Sequence, residues 1–124
     1  MGLSIKKIKR IFNPKGNIMK VYLDDERKPS KGWILVTRPC DAISLLETGL
    51  VAEISLDHDL GEGNGDGYDV LLWIEREMIY NGRKPPLIHV HTANPPARER
   101  MIRAVESINR FMVKNTDRIL SDGF

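Results

Sequence analysis

Short apolar runs that break off into polar clusters recur along this chain, with helical segments between them, and this alternation constrains the fold most. Ile18 to Leu23 reads as a strand ending in Asp24-Asp25. Ala52 to Leu56 is an apolar run, with a third strand over Glu53 to Leu56, and it ends in Asp57-His58-Asp59. Leu87 to His91 is a fourth strand, entered through Pro85-Pro86 and leaving through His91-Thr92-Ala93-Asn94. Strands that alternate with helices imply a parallel α/β sheet. In such sheets ligands bind beyond the C-terminal strand ends, where all three clusters fall.

The intervening segments carry their own punctuation. Trp33 to Thr37 is rich in residues that suit a second strand. Asp41 to Glu47 is predicted as a short helix, N-capped at Cys40 or Asp41 and closed by Gly49. Tyr68 to Tyr80 is a second helix, stopped by Asn81-Gly82. Pro96 to Val113 is the last helix. Its Met101, Val105, Ile108 and Met112 recur at helical spacing, while Arg100, Arg103 and Arg110 face outward. Beyond Asn115, Arg118 to Leu120 offers room for a short fifth strand, which leaves four strands or five open.

One connection is too tight. About eight residues separate Asp24 from Trp33, whereas a parallel crossover needs roughly a dozen. The first helix is therefore expected to be shortened and decayed. With right-handed crossovers the strand order is expected to be 2-1-3-4, with Asp24, Asp57 and His91 at one end of the sheet.

The length of 124 residues suits one domain with a modest core. No apolar run reaches the roughly 20 residues that span a membrane. Cys40 is the single cysteine, which excludes an internal disulfide and fits a reducing, cytoplasmic setting. Residues 1 to 20 hold six basic residues and no acid, leaving thirteen bases against seventeen acids elsewhere. The expected organisation is a flexible basic extension over 1–18 and a mildly acidic domain over 19–124. Such an extension can make weak nucleic-acid contacts through phosphate backbones, or it is simply solvated.

Each polar cluster admits two readings. Asp24-Asp25-Glu26 sets like charges side by side, which a divalent cation such as Mg²⁺ relieves; the alternative is a solvated turn paired by Arg27 and Lys28. Arg27 can also hold a phosphate in its planar fork. His58 and His91 end adjacent strands and can act as acid and base on one phosphorus centre, or they hydrogen-bond the loops. His89 shares a strand face with His91 and is read as a buried neutral imidazole rather than a metal ligand. Gly61 to Gly67 fits neither a dinucleotide fingerprint nor a calcium loop. It reads as a flexible lid or turn, with Asp66 capping the next helix. Arg98 is the arginine nearest the fourth strand's end, where a helix N-terminus attracts anions.

"VYLDDE", "EISLDHDLGEGNGDGYDVLLWI" and "HVHTA" resemble the first, third and fourth strands of response-regulator receiver domains. A closer resemblance is to the receiver-derived cyclic-phosphate-processing family, whose members show L-D-D-x-R-x-P, S-L-D-H-D-L-G, G-Y-D-V and V-H-[ST]-x-N-P. Here these are Leu23 to Pro29, Ser55 to Gly61, Gly67 to Val70, and Val90 to Pro95, and the likeness covers about residues 19 to 113. It implies a compact receiver-like (flavodoxin-like) three-layer sandwich with a mostly parallel sheet of four or five strands. It further implies a phosphoesterase acting on a cyclic phosphate, with a phosphorylated small molecule or RNA end as partner.

On that footing Asp24, Asp25 and Asp57 are assigned to Mg²⁺ or to an ordered set of hydrogen bonds. His58 and His91, with Asp57 and Asp59, are assigned to catalysis. Arg27, Thr92, Asn94 and Arg98 are assigned to the phosphate. The lysine that ends a receiver's fifth strand has no counterpart, and His58 and His91 are additions. Both departures weigh against Asp57 as a signalling phosphoacceptor. A non-catalytic module binding a nucleotide, RNA end or protein is the other reading.

Overall fold

The computed structural model describes residues 18–58 and 66–122, with side chains to residue 115. Four parallel strands form one sheet in the order β2-β1-β3-β4: β1 Met19–Leu23, β2 Ile34–Val36, β3 Val51–Leu56 and β4 Leu87–Val90. Three helices accompany them: α1 Pro39–Leu46, α2 Gly67–Asn81 and α3 Pro95–Asp122. This is the receiver-like α/β order expected from the alternation. No helix among the described residues is long and apolar enough to cross a membrane.

The decay of the first crossover goes to its limit. Residues 24–33 contain bends and one turn at Lys31-Gly32, with no helical turn, yet β2 still pairs parallel to β1. The chain can do this because β2 has only three residues and lies at the sheet's edge.

α1 begins earlier than expected. Its N-cap is Arg38 rather than Cys40 or Asp41. Pro39 explains the shift: its fixed φ suits the first helical position, and it holds the preceding residue extended, as Arg38 is. Arg38 also pairs with Asp41 at 3.6 Å across that turn. α2 opens on a capping box in which Asp66 and Asp69 each accept the other's backbone N–H. It closes on Gly82 in the left-handed conformation, φ 66°.

Of the two alternatives, four strands or five, the described residues form four. Residues 118–120 lie within α3. Between Ala97 and Asp122 the sequence holds no Gly or Pro to end a helix, so the last helix runs on. The sheet formed by the described residues thus has four strands, and β4 is an edge.

Helix–helix contacts run from α1 to α2 and from α2 to α3, which places the three in one layer. Val21, Leu23, Ile54 and Leu56 point into that layer and share a core with Ala42, Leu45, Val70, Leu71, Met101 and Ile108. Fully burying such side chains stabilises by about 1.5–3 kcal/mol each. The alternate positions, Lys20, Tyr22, Leu35, Glu53, Ser55, Leu87 and His89, make the opposite sheet face. Trp33 packs edge-on against Tyr22 and His89 there. His89 is not buried as expected: its side chain is 47 % exposed and meets Glu53 at 3.3 Å. The edge position of β4 leaves it in solvent. The expectation for the basic extension falls, over 1–17, outside the described residues, as do those for the loop 59–65 and for Asp59.

Gly67 is the most closely approached of the described glycines. A Cβ there would lie 2.1 Å from the Asp57 carbonyl oxygen and 3.1 Å from Met101 Cε. Helix propensity alone would make Gly67→Ala stabilising. The backbone contact reverses the sign, and Gly67→Ala is expected to destabilise by about 1–3 kcal/mol. Urea unfolding would read this as a lower midpoint; an unchanged or raised midpoint would contradict it.

Candidate functional site

The sheet ladder itself assembles the site. In β1, β3 and β4 the ladder is continued by the first residue beyond the strand. Asp24 N–H donates to Val36 O at 3.1 Å, Asp57 N–H to Leu23 O at 3.1 Å, and His91 N–H to Leu56 O at 3.0 Å. Asp24, Asp57 and His91 are therefore fixed side by side at the C-terminal end of β1, β3 and β4. One donor atom from each lies within 4.8 Å of the others.

Asp24 is the most constrained of the three, with its side chain 1 % exposed. Its Oδ1 accepts the backbone N–H of Glu26 at 2.8 Å and of Arg27 at 2.9 Å. Its Oδ2 meets His91 Nε2 at 3.0 Å. Burial pushes the Asp24 carboxyl up, but the two backbone donors and His91 together outweigh it, so the net shift is downward. Burial pushes the His91 imidazole down, and the pull of Asp24 and Asp57 does not recover it. The pair is thus a carboxylate and a neutral imidazole.

The tautomer follows. Asp24 as a carboxylate only accepts, so Nε2 carries the proton, and Nδ1 accepts from the Ser55 hydroxyl at 2.7 Å. The Tyr22 ring stacks on the imidazole at a centroid distance of 4.2 Å and 7° between planes. Burial, then the nearby Asp24, pushes the Tyr22 phenol up. Ser55, His91 and Asp24 form a serine–histidine–carboxylate chain, but Ser55 is buried and does not line a cleft. The chain fixes an imidazole rather than arming a nucleophile.

In front of these groups lies a cleft of about 270 Å³, walled by Asp24, Asp25, Glu26, Arg27, Asp57, Thr92, Ala93 and Asn94. Arg27 donates from Nη1 to the His91 carbonyl at 3.3 Å, which holds its guanidinium over the cleft. Asp57 Oδ1 accepts the His58 N–H at 2.8 Å. Asn94 caps α3 by accepting the Ala97 N–H at 3.1 Å, and Thr92 Oγ1 accepts the Asn94 N–H at 3.3 Å. Arg98 stands exposed on the first turn of α3, outside the residues that wall the cleft.

His58 faces elsewhere. It lines a broader groove of about 790 Å³ between α2 and α3, which touches the first cleft through Asn94. Its Nε2 lies 3.4 Å from Asp66 Oδ2 and 3.2 Å from Arg100 Nη2. Asp66 only accepts and Arg100 only donates, so one proton decides between them. The His58 Nδ1 is buried with no partner among the described residues.

A divalent cation fits the first cleft. Asp57 Oδ2 takes no hydrogen bond from the described residues, and Asp24 Oδ2 has a lone pair left beside its single donor. Two carboxylates suit Mg²⁺, and the imidazole stands at the third corner with its Nε2–H turned to Asp24. Asp25, also assigned to the metal from sequence, is exposed in the cleft wall and outside the three-residue cluster.

Three contributors went unread in the sequence. Ser55 and Tyr22 each sit two residues before a site residue, Asp57 and Asp24, so strand alternation could have placed them on the site's face. Arg100, read as outward-facing, folds back over the Tyr68 ring at 4.8 Å to reach His58. It lies 42 residues from His58, and no local pattern announces that contact.

Among known families, the cyclic-phosphate processing receiver domain matches the chain over residues 19–107. No curated protein matches the chain. No solved structure matches it.

The pair of lowered titrations makes a signed prediction. The unfolded His91 takes a proton near pH 6.5, before the folded one does. Its contribution to stability is full above that pH and is lost as pH falls toward the folded value. Asp24 adds a loss of the same sign below about pH 3.9. Urea midpoints should therefore fall between pH 7.5 and pH 5. His91→Gln, which can keep an N–H near Asp24, should flatten that segment. An equal slope in both proteins would show that His91 is not the group responsible.

Proposed function

We propose that this chain, which belongs to the cyclic-phosphate processing receiver domain family, is a phosphoesterase that hydrolyses a cyclic phosphodiester in the cleft at the strand ends. The observation that carries the reading is the composition of that cleft. Arg27 lines it together with Asp24 and Asp57, and Thr92 and Asn94 complete its wall. Two carboxylates alone would repel a phosphate. With a cation between them, and a guanidinium in the same wall, the cleft would become an anion site.

Asp24 and Asp57, with Asp25 at the rim, would hold a divalent ion, which supplies charge neutralisation and polarises the phosphorus–oxygen bonds. Arg27 would pair with a non-bridging oxygen of the phosphate. Thr92 and Asn94 would offer neutral hydrogen bonds, their caps at the start of α3 keeping them in place. A water oxygen adds to phosphorus, one ring P–O bond breaks, and the leaving oxygen takes a proton, giving a phosphate monoester. We assign one of those proton movements to His91 and the other to His58, which would have to turn from the α2–α3 groove toward the cleft, with Asp57 and Asp59 as the carboxylates assigned to assist.

One observation favours a second reading. Both nitrogens of His91 are engaged internally, by Ser55 and by Asp24. An imidazole so held is a strut that shapes the cleft, as in a module that binds a phosphorylated ligand without turnover.

Turnover of 2′,3′-cyclic and 3′,5′-cyclic nucleotides, with and without Mg²⁺ or Mn²⁺, separates the two. The enzyme reading expects a rate that rises and falls across the imidazole range. His58→Ala should lower kcat by roughly 10²–10⁴, and Asp57→Asn should abolish the metal dependence. His91→Gln should lower kcat similarly with little effect on KM. Tight binding of a cyclic phosphate without turnover, and substitutions that alter affinity alone, would decide for the module.

A further inference from the structure

One face of the sheet stands open. α1, α2 and α3 share a single layer, and no helix among the described residues covers the other side. Ile18, just before β1, alternates onto that side with Lys20 and Tyr22; Leu35 joins them from β2 and Leu87 from β4. Ile18 is 64 % exposed, Leu87 58 % and Leu35 41 %. Trp33 shields part of the face, edge-on to Tyr22 and His89. Parallel sheets are rarely left with one face in water, so this face calls for an apolar cover.

The sequence ahead of β1 carries a matching pattern. At about 100° per residue, Ile5, Ile8, Ile11 and Phe12 fall within one arc of about 120°, the width of a stripe that faces a core. Lys6, Lys7, Lys9 and Arg10 all fall outside that arc, together with Leu3. Ser4 is a residue type that caps a helix start, and Pro14 bars a helix from continuing past Asn13. Asn13 to Asn17 then leave a connection of ordinary length, with Pro14 and Gly16 to turn the chain.

The dimensions agree as well. Residues 5–12 wound as a helix rise about 12 Å, and the five residues of β1 span about 17 Å. The other face of β1 is already taken by α1, so a helix returning along β1 has only the open side. A helix this short is marginal alone in water, so packing has to hold it.

We propose that residues 5–12 form an amphipathic helix lying on the open face, antiparallel to β1, with its basic side to solvent. Phe12 then lies near Ile18, and Ile5 and Ile8 lie toward Tyr22 and Leu35. The basic extension is thereby the missing layer of the fold. Its first turn backs Tyr22, whose ring stacks on His91, so it also braces the aromatic stack beside the cleft. The proposal stands apart from any catalytic reading of that cleft.

A double-mutant cycle in the full chain tests it. Ile8→Ala and Leu35→Ala should each lower the urea midpoint, and the double variant should lose less than the two losses added, because residues in contact couple. Lys7→Gln, on the basic side, should leave the midpoint unchanged. A second measurement needs no destabilised variant. In a Cys40→Ser background, Ile8→Cys with Leu35→Cys should cross-link within one molecule under a short bismaleimide. Ile8→Cys with Arg76→Cys, on the exposed side of α2, should not.

An unchanged midpoint for Ile8→Ala, losses that simply add, or equal cross-linking to both positions would overturn the proposal. Cross-linked dimers, with a two-chain species in sedimentation, would overturn it in favour of a second copy on the open face. Binding to vesicles of anionic phospholipid that Ile8→Asp abolishes, with no change in the midpoint without lipid, would overturn it in favour of a membrane surface.

Discussion

A buried carboxylate holds this site together. Asp24 is almost fully sealed from water, and a charge in that position is tolerable only when its oxygens are satisfied. Three donors do so: two backbone N–H groups of the loop after β1, and the His91 ring from the far edge of the sheet. These bonds fold the loop back, bring Arg27 over the cleft, and tie β4 to β1 across β3. Removing a partner from such an arrangement costs about 3–5 kcal/mol, so the cleft's shape and the domain's stability are coupled through one side chain.

The same bonds explain how a crossover can lose its helix. In an ordinary parallel unit the helix orders the connection and covers the sheet. Here Asp24 orders the start of the connection, and Trp33 lays an aromatic ring against Tyr22 and His89 on the face opposite the helices. Lys20 reaches the same ring, 5.7 Å from its centroid. That face is a mixture of aromatic, aliphatic and charged positions. Parallel sheets otherwise occur almost only with both faces covered; here the ring of Trp33 shields Tyr22 and His89, while Leu35 and Leu87 stay exposed. The third layer expected from sequence is not found among the described residues.

The sequence was legible wherever a rule of period or punctuation applied. Alternation of apolar runs and helical segments led to the strand order, and Asp66 and Gly82 marked both ends of α2. The polar clusters after β1, β3 and β4 led to the same end of the sheet because ladder bonds continue one residue past each strand. Reading failed where the deciding contact was distant or the signal was an absence. His89 looked buried inside an apolar run, but nothing in that run says that β4 is an edge. Arg118 to Leu120 looked like a strand by composition, while the missing helix breaker weighed more. The two histidines looked like partners, yet Asp57 turns the chain so that His58 enters the α2–α3 groove and His91 stays under Tyr22.

The choice of serine at position 55 bears on how His91 can work. An imidazole that must keep one proton on Nε2 needs only an acceptor-satisfying donor at Nδ1, and several side chains could provide it. A hydroxyl is different, because it donates when Nδ1 is bare and accepts when Nδ1 is protonated. Ser55 therefore satisfies either neutral tautomer of His91 with a rotation of one bond. A cation held by Asp24 and Asp57 would neutralise the carboxylate that His91 Nε2–H now faces, and the ring could then carry its proton on Nδ1 with the Ser55 hydroxyl accepting. The buried serine thus leaves the strut a second tautomer, in which the Nε2 lone pair would face Asp24 and whatever cation neutralised it.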